Sequence, residues 1–486
     1  MFRRQFLTRS VALALGAAVP KTEAGEVDAD LLVIGSGAAG LSAAYWAACA
    51  GVRNILVLEK EPLIGGSSTI AEGVFSVSDT AFQRSRNVAD SDALFFEDML
   101  RQGNYRNDPR LVRLYIAASK KVFDWFLAQG VRPASLLLSS GMSAPRAHGF
   151  NSTALVQTLR LQGQKLGVRI ATGTRAVRLL SDGSRVHGAA VVGPGHETGK
   201  IHAAGVVLAT GGFARNRRML TRFAPSLKHA AVISGIGSTG DGITMATALG
   251  AQLLDTEYIK ASYGFRLNPA SIGDFTSIYY EGAVIVNQYG RRFVDESSSY
   301  KTLGEKALEQ PEGKSYIIFD DKMRLSAMAH RPIDRQLWSV YDRGEPADYV
   351  YWGESVEAAA KKAGLSPLVV RSTVDEYNRC IESGLPDAFG RTTLSAGYGR
   401  PIPLKTAPFF IMPSVPAIMG TYCGLRVNER MQVLGPDERP IAGLFAAGEV
   451  TGGLHGENYI TGTGLGKALT FGMLAGQSAA AAGSGG

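Results

Sequence analysis

Residues Asp30–Gly40, DLLVIGSGAAG, decide the fold. The apolar run Leu31–Ile34 enters a turn carrying Gly35, Gly37 and Gly40 in the spacing G-x-G-x-x-G, and small residues follow from Leu41 to Ala50. Strand, tight turn and helix are the expected order. Gly35 permits the turn, Gly37 lets a pyrophosphate approach the backbone, and Gly40 lets the helix pack closely on the strand. The free N–H groups and positive dipole end at Ala38 and Ala39 suit phosphate. Asn54–Lys60, NILVLEK, then supplies a second strand ending at Glu59, 19 residues after Gly40. An acidic side chain at that distance reaches ribose hydroxyls, so a dinucleotide is the expected ligand.

With 486 residues and 45% hydrophobic composition, the chain has room for two or three domains and a large core. The formal charge of +8 is modest for this length. Basic residues are scattered, and the one small cluster, Arg215, Arg217 and Arg218, fits a solvated face, so no nucleic-acid partner is expected. The N-terminus, MFRRQFLTRS followed by the apolar run Val11–Val19, has the form of an export signal too short to span a bilayer. Arg3-Arg4-Gln5-Phe6-Leu7 resembles a twin-arginine signal, which exports proteins already folded, and implies a periplasmic location with cleavage near Ala24. No other stretch is long enough for a membrane span. Cys49, Cys380 and Cys423 are odd in number and far apart, with no C-x-x-C-H and no iron–sulfur spacing. Neither a disulfide framework nor an attached haem is expected.

Beyond Glu59, the loop Pro62–Gly73, PLIGGSSTIAEG, is flexible at Gly65 and Gly66 and is placed to lie against a cofactor ring. Helical spacing runs from Ser91 to Gly130 and again from Asn151 to Gly167. Val168–Thr172, Ala176–Leu180 and Val186–Val192 are expected to form a meander of short strands, and Ile201–Gly212 a buried strand ending in a glycine pair.

Five ordered motifs now stand together: the glycine turn, Glu59, Ala209-Thr210-Gly211-Gly212, the STGDG of Ser238–Gly242 and the GLFAAGEVTGG of Gly443–Gly453. They resemble the fumarate reductase/succinate dehydrogenase flavoprotein family, above all its soluble exported flavocytochrome-type members and the related 3-ketosteroid dehydrogenases. The resemblance covers nearly the whole mature chain. It implies an α/β protein: a Rossmann-like FAD-binding domain, residues 28–255 and 414–486, with an inserted α+β capping domain, residues 256–413. It implies FAD, held by Gly35, Gly37, Ala38, Ala39, Gly40, Glu59, Lys60, Gly66, Ser67, Ser68, Gly73, Ala176, Val177, Ala209, Thr210, Gly211, Asp241, Gly448, Glu449, Gly464 and Leu465. Asp241 is equally suited to cap the helix that follows it. The helix opened by Gly462–Leu469 points its positive end at the flavin, where it stabilises negative charge on the reduced ring. The histidine that links flavin covalently in membrane-bound relatives falls at Ser67, so the implied FAD is non-covalent.

Inside the capping segment, Ala283–Asn287 and Arg291–Val294 are expected to form a hairpin, Ser315–Phe319 a strand, and Ser366-Pro367 the start of a helix running to about Ser383. Flavin chemistry on a carbon–carbon bond pairs a hydride at flavin N5 with an acid or base for the neighbouring carbon. Aligned on Val286-Asn287 and Arg292-Phe293, the proton-donating arginine of fumarate reductases falls at Tyr300. Their two carboxylate-clamping groups fall at Gly420 and Tyr459, and a relay arginine near Tyr279. Tyrosine does not replace arginine in bidentate carboxylate binding, so fumarate is not the expected substrate. The ketosteroid dehydrogenases use tyrosines near these places. Tyr300 therefore takes the proton-carrying role and Tyr459 the carbonyl-polarising one, with Gly420 completing the catalytic set. Tyr300 opens a helix whose dipole favours a phenolate, and its ordinary pKa of about 10 has to fall for that role near neutral pH.

The resulting expectation is an FAD-dependent oxidoreductase of the CH–CH donor type acting on a bond next to the carbonyl of a neutral enone or ketone, a class that includes steroid-like compounds. A separate electron carrier is implied: a c-type cytochrome, a quinone or oxygen. Two alternatives stay open, a reductase of an unsaturated monocarboxylate such as urocanate or acrylate, and a non-catalytic flavin electron-transfer subunit. An amine oxidase is a weaker third. His148, His455, Tyr279 and Tyr280 are each as readily structural as part of the site. His187, His196, His202, His229 and His330 show no metal-ligand spacing and are expected at the surface.

Overall fold

The computed structural model describes residues 26–483 apart from 140, 346, 386 and 396. The export signal expected in the first residues lies outside the described residues. The strand that carries the glycine turn begins earlier than expected, at Glu26, and runs to Ile34. Leu31, Leu32, Val33 and Ile34 are all buried. They are covered on both faces, as a parallel strand requires, and each such side chain contributes roughly 1.5–3 kcal/mol relative to exposure. This strand pairs in parallel with Ile55–Leu58 on one side and Thr198–Leu208 on the other. Arg169–Ala171 extends the sheet beyond Ile55–Leu58, and Leu444–Ala446 pairs in parallel beside Val206–Leu208.

Only part of the expected meander forms. Arg175–Ser181, Val186–Val192 and the start of Thr198–Leu208 are antiparallel neighbours, whereas Arg169–Ala171 joins the edge of the parallel sheet. The turn at Gly173 and Thr174 separates those two roles: Gly173 N–H bonds the Glu61 carbonyl at 3.2 Å and Thr174 N–H the Glu59 carbonyl at 2.9 Å. The segment is thereby tied to the end of the second strand.

The C-terminal helix Thr463–Gly483 returns to lie against the first helix, Ala38–Cys49. A Cβ at Gly476 would sit 2.1 Å from the Ala43 carbonyl oxygen, and one at Gly472 2.4 Å from that of Ala39. The two helices therefore touch backbone to backbone, with Ser42 Oγ donating to the Leu469 carbonyl at 2.7 Å. That contact delivers Gly464 and Leu465 to the glycine turn.

A second sheet is built around Phe409–Ile418, which pairs with Ser262–Arg266, Ser315–Asp320, Tyr351–Gly353 and Ala231–Val232. It has its own core, from Tyr263 through Ile317, Phe319 and Trp338 to Met412. The expected hairpin is reduced. Val284–Val286 pairs with Ser315–Asp320, and the return leg supplies a single bridge from Arg292 to Val286. The cause is an inward-facing charge. Arg292 binds Glu296 at 2.6 Å and Asp387 at 2.7 Å, and Arg391 binds Glu296 at 3.3 Å. Residues 291–296 curl around this buried network rather than extending as a strand.

Candidate active site

One cavity of about 590 Å³ runs from the glycine turn to the second sheet. At the turn, the first helix starts at Ala38 with Gly37 as its N-cap. A Cβ on Gly37 would have only Ser68 Oγ, at 3.5 Å, and the Gly65 carbonyl, at 3.7 Å, within contact, so this backbone lies open to the cavity. Glu59 is buried and already engaged. It accepts from Ser36 Oγ at 2.6 Å, Ser36 N–H at 3.2 Å and Glu61 N–H at 3.0 Å. Lys60 bonds Thr239 Oγ1 at 2.5 Å and Asp241 at 3.1 Å, and Arg175 meets the same carboxylate at 3.2 Å. Burial pushes the Asp241 carboxyl up, but Lys60, Thr239 and Arg175 outweigh it and leave it below the usual range. Asp241 is the first residue of the helix Asp241–Thr247 and makes no cap; Gly240 holds that position.

Gly35, Gly37, Ala38, Ala39, Glu59, Lys60, Gly66, Ser67, Ser68, Gly73, Ala176, Ala209, Thr210, Gly211, Asp241, Gly420, Glu449, Gly464, Leu465, Tyr300 and Tyr459 all line the cavity. Three residues assigned to the cofactor do not. The Val177 side chain is 46% exposed on the outer face of its strand, because alternation turns it away when Ala176 faces in. Gly40 lies under the turn, where a Cβ would sit 1.8 Å from the Gly35 carbonyl oxygen. Gly448 packs against Ala39 in the same way, at 2.7 Å.

At the far end the side chains are aromatic. Tyr300 is the first residue of the helix Tyr300–Leu308, capped by Ser299. Its hydroxyl lies 3.2 Å from Thr461 Oγ1, which lies 2.7 Å from Ser139 Oγ. Tyr459 meets the Tyr300 ring edge-on at 6.0 Å. Tyr422, which the sequence pattern did not single out, completes the group, and its backbone adopts φ 55°. His455 packs edge-on to Tyr422 and Tyr459. Burial, with Lys467 and Lys301 adding to it, holds His455 well below its ordinary pKa and therefore neutral. Burial, followed by the neighbouring Tyr459 and Tyr422, holds the Tyr300 hydroxyl well above the usual phenol range. The helix start does not produce a phenolate, because desolvation is the larger effect.

Two charged groups missed in the sequence sit in this aromatic end. Lys301 is buried behind the tyrosines, donating to the Lys260 carbonyl at 3.0 Å. Glu72, from the Pro62–Gly73 loop, lines the cavity and is raised by burial against the opposing charge of Arg331. Among the residues left open, Tyr280 and His455 line the cavity. His148 instead bonds Thr80 at 2.9 Å and the Arg146 carbonyl at 2.8 Å in the core, and Tyr279 reaches the Tyr263 carbonyl.

The profile of the FAD binding domain family matches residues 30–465. A probable fumarate reductase of Shewanella frigidimarina (strain NCIMB 400) is 32% identical over 461 residues, covering 93% of this chain and 74% of that protein. The open conformation of a flavocytochrome c3 fumarate reductase superposes with a TM-score of 0.78 at 31% identity, over 94% of this chain and 79% of that one. The 3-ketosteroid-Δ4-(5α)-dehydrogenase of Rhodococcus jostii RHA1, in complex with 4-androstene-3,17-dione, gives 0.76 at 26% identity, over 96% and 99%.

The residues present fit FAD. Thr210 Oγ1, Ser234 Oγ, Ser277 Oγ and His455 Nε2 are buried polar atoms without a partner among the described residues, and all four residues line this cavity. Buried polar atoms are normally satisfied, so these await a ligand. The open backbone at Gly37 and the helix start at Ala38 would hold the pyrophosphate, and the start of Thr463–Gly483 would face the ring system.

Proposed function

The chain belongs to the FAD binding domain family, whose members here are FAD-dependent reductases and dehydrogenases of carbon–carbon bonds, and we propose that it acts on such a bond next to the carbonyl of a neutral enone or ketone, with Tyr300 carrying the proton. Bound FAD supplies hydride transfer. The observation that carries the reading is the cluster Tyr300, Tyr422 and Tyr459, which lines the end of the cavity where an arginine-rich clamp would be needed for a dicarboxylate.

Tyr300 keeps its proton, so it is prepared as an acid, which favours reduction of an enone. Protonation of the substrate carbon breaks the Tyr300 O–H bond and leaves the electron pair on the phenolate oxygen. The Thr461 hydroxyl, 3.2 Å away, is placed to share that charge. Tyr459 and Tyr422 offer hydroxyl donors to the substrate carbonyl, and Gly420 leaves room for it by lacking a side chain. The 256–413 segment serves as the cap that excludes water. The reading extends to non-covalent FAD, export through a twin-arginine signal and a separate electron carrier. Among the described residues no helix is long and apolar enough to cross a membrane.

A second reading, reduction of an unsaturated monocarboxylate, is favoured by one observation: of the arginines lining the cavity, Arg175 and Arg215 are bonded within the fold, whereas Arg331 has no hydrogen-bond or ion-pair partner for its side chain among the described residues.

Anaerobic stopped-flow of the holoprotein tests the proposal. Oxidised and reduced enzyme are mixed with ketosteroids, cyclohexanones, acrylates and fumarate while the flavin absorbance is followed. A rapid change with a ketone or enone that disappears in Tyr300→Phe is expected. A response to carboxylates alone, unchanged in that variant, would sink the tyrosine mechanism.

A further inference from the structure

Arg331 is buried, with 9% of its surface exposed, and lines the cavity. It precedes the helix Pro332–Asp342, and the next apolar residue, Ile333, packs with Phe275 and Ile272 in a small core under the cavity wall. Its backbone is therefore fixed. Its guanidinium donates no hydrogen bond to any described residue. The other buried arginines behave differently. Arg146 is held by Asp90 and Asp98, Arg391 by Glu296 and three carbonyls, and Arg324 by Asp321 and Asp342. A guanidinium with five donors and no acceptor is costly to bury, and a fold that pairs every other one has left this one for a ligand.

The carboxyls that feel its charge make no ion pair with it among the described residues. Asp334 uses only Oδ1, accepting from Thr276 Oγ1 and, at 3.2 Å, from Trp338 Nε1, and its Oδ2 has no hydrogen-bond partner among the described residues. Glu72 makes no ion pair with Arg331, and burial favours its neutral form. Asp334, likewise buried, titrates at about 6 and is ionised at neutral pH, yet it makes no ion pair with Arg331 among the described residues. The helix Asp321–His330, which ends just before Arg331, packs against Ile278–Glu281, whose Tyr280 lines the cavity together with Tyr300 and Tyr459. Apolar Ile272, Phe275 and Ile70 line the same cavity and suit a hydrocarbon body.

We propose that Arg331 binds a carboxylate carried by the substrate away from its reacting bond, so that the enone or ketone proposed above is neutral at its reacting end but is, as a whole, an organic monoanion with an apolar body. The reacting carbonyl is a separate, neutral group facing the tyrosines. Placement of the reacting bond rests on the function proposed above; the anion site itself does not.

The test uses the FAD-loaded enzyme and flavin difference spectra. Three probes are titrated: 4-oxocyclohexanecarboxylate, its methyl ester, and cyclohexanecarboxylate, which has no ketone. Wild type is expected to bind the acid at least about tenfold more tightly than the ester, the scale of one charge-assisted bidentate contact. Arg331→Gln removes that preference without changing ester binding, and Arg331→Lys restores part of it. Equal affinity for acid and ester in wild type, or a preference that survives Arg331→Gln, overturns the proposal. Loss of FAD instead of acid binding by a folded Arg331→Gln also overturns it, by assigning the cation to the cofactor. If no ketone changes the flavin redox state but cyclohexanecarboxylate still binds in an Arg331-dependent way, the anion site stands and the enone reading falls.

Discussion

Tyr422 and Tyr459 stack with their ring centroids 4.6 Å apart and their planes 16° from parallel. The Lys301 ammonium lies over both rings, 4.7 Å from the Tyr422 centroid and 5.5 Å from that of Tyr459. A cation over two aromatic faces is attracted by both, and more strongly where water is excluded. The stack fixes two hydroxyl-bearing rings beside Tyr300, and Tyr422 holds its place with a left-handed backbone that costs roughly 1–2 kcal/mol for a non-glycine residue. That strain is retained at the wall of the candidate active site.

Removing the Tyr300 hydroxyl is expected to lower the rate of flavin oxidation by an enone about 10²–10⁴-fold, the usual contribution of a positioned general acid. Tyr422→Phe and Tyr459→Phe should act more on the substrate concentration needed than on the limiting rate. Single-turnover traces across a substrate series separate the two. Equal rates in Tyr300→Phe and wild type would remove Tyr300 from the mechanism.

Lys301 gives a pH signature. Its ordinary value is 10.5, but burial, with Lys260 adding to it against Glu449 and Glu305, lowers it to about 7 in the fold. Between those values the unfolded chain binds more protons than the folded one, so this group makes stability rise with pH from about 7 to 10.5 and penalises the fold below 7. Lys301→Met should therefore be more stable than wild type at pH 6, by about 2–4 kcal/mol, with the gain fading at alkaline pH. Urea unfolding at several pH values checks this, and a constant difference across pH would refute it.

Glu296 is the hub that shapes the segment leading into Tyr300. It accepts from Ile285 N–H at 3.0 Å, from Arg292 at 2.8 and 2.6 Å and from Arg391 at 3.3 Å. Glu296→Gln leaves two buried guanidiniums short of charge and should cost about 3–5 kcal/mol. Thermal unfolding measures the loss, and a change below about 1 kcal/mol would show that Asp387 alone suffices.

Two alanine substitutions three residues apart should separate fold from ligand. A Cβ at Gly40 collides with the Gly35 carbonyl oxygen at 1.8 Å, so Gly40→Ala should fail to give soluble folded protein. Gly37→Ala meets nothing closer than 3.5 Å and should fold, while losing FAD affinity about 10–100-fold because the methyl occupies the phosphate approach. Fluorescence of released flavin after dilution reports both. Full FAD retention by Gly37→Ala would move the pyrophosphate elsewhere.

The dinucleotide cradle was legible because its signals are local. A glycine turn, an apolar strand and an acid after the next strand are spaced by the dimensions of one strand–helix–strand unit, so sequence distance stands in for spatial distance. Where neighbours are set by long-range packing, the pattern was less informative. Arg169–Ala171 has the composition of a meander strand but is drawn to the edge of the parallel sheet. The second leg of the expected hairpin is bent by Arg292, whose charge is met by Glu296 and by Asp387, the latter nearly a hundred residues away. His148 and His455 look alike in sequence, yet one is bonded into the core and the other lines the cavity.

The sequence by itself determined the parallel α/β fold and a dinucleotide site, since backbone geometry near a phosphate demands glycine at fixed spacings, while FAD and the class of reaction came with the family resemblance that its five ordered motifs carry. Only the tertiary structure decided which charges meet the substrate. Tyr422 enters the aromatic cluster, Lys301 is buried behind it and Arg331 faces the cavity unpaired, because burial and pairing depend on segments far apart in the chain. No local pattern distinguishes an arginine with a partner from one without.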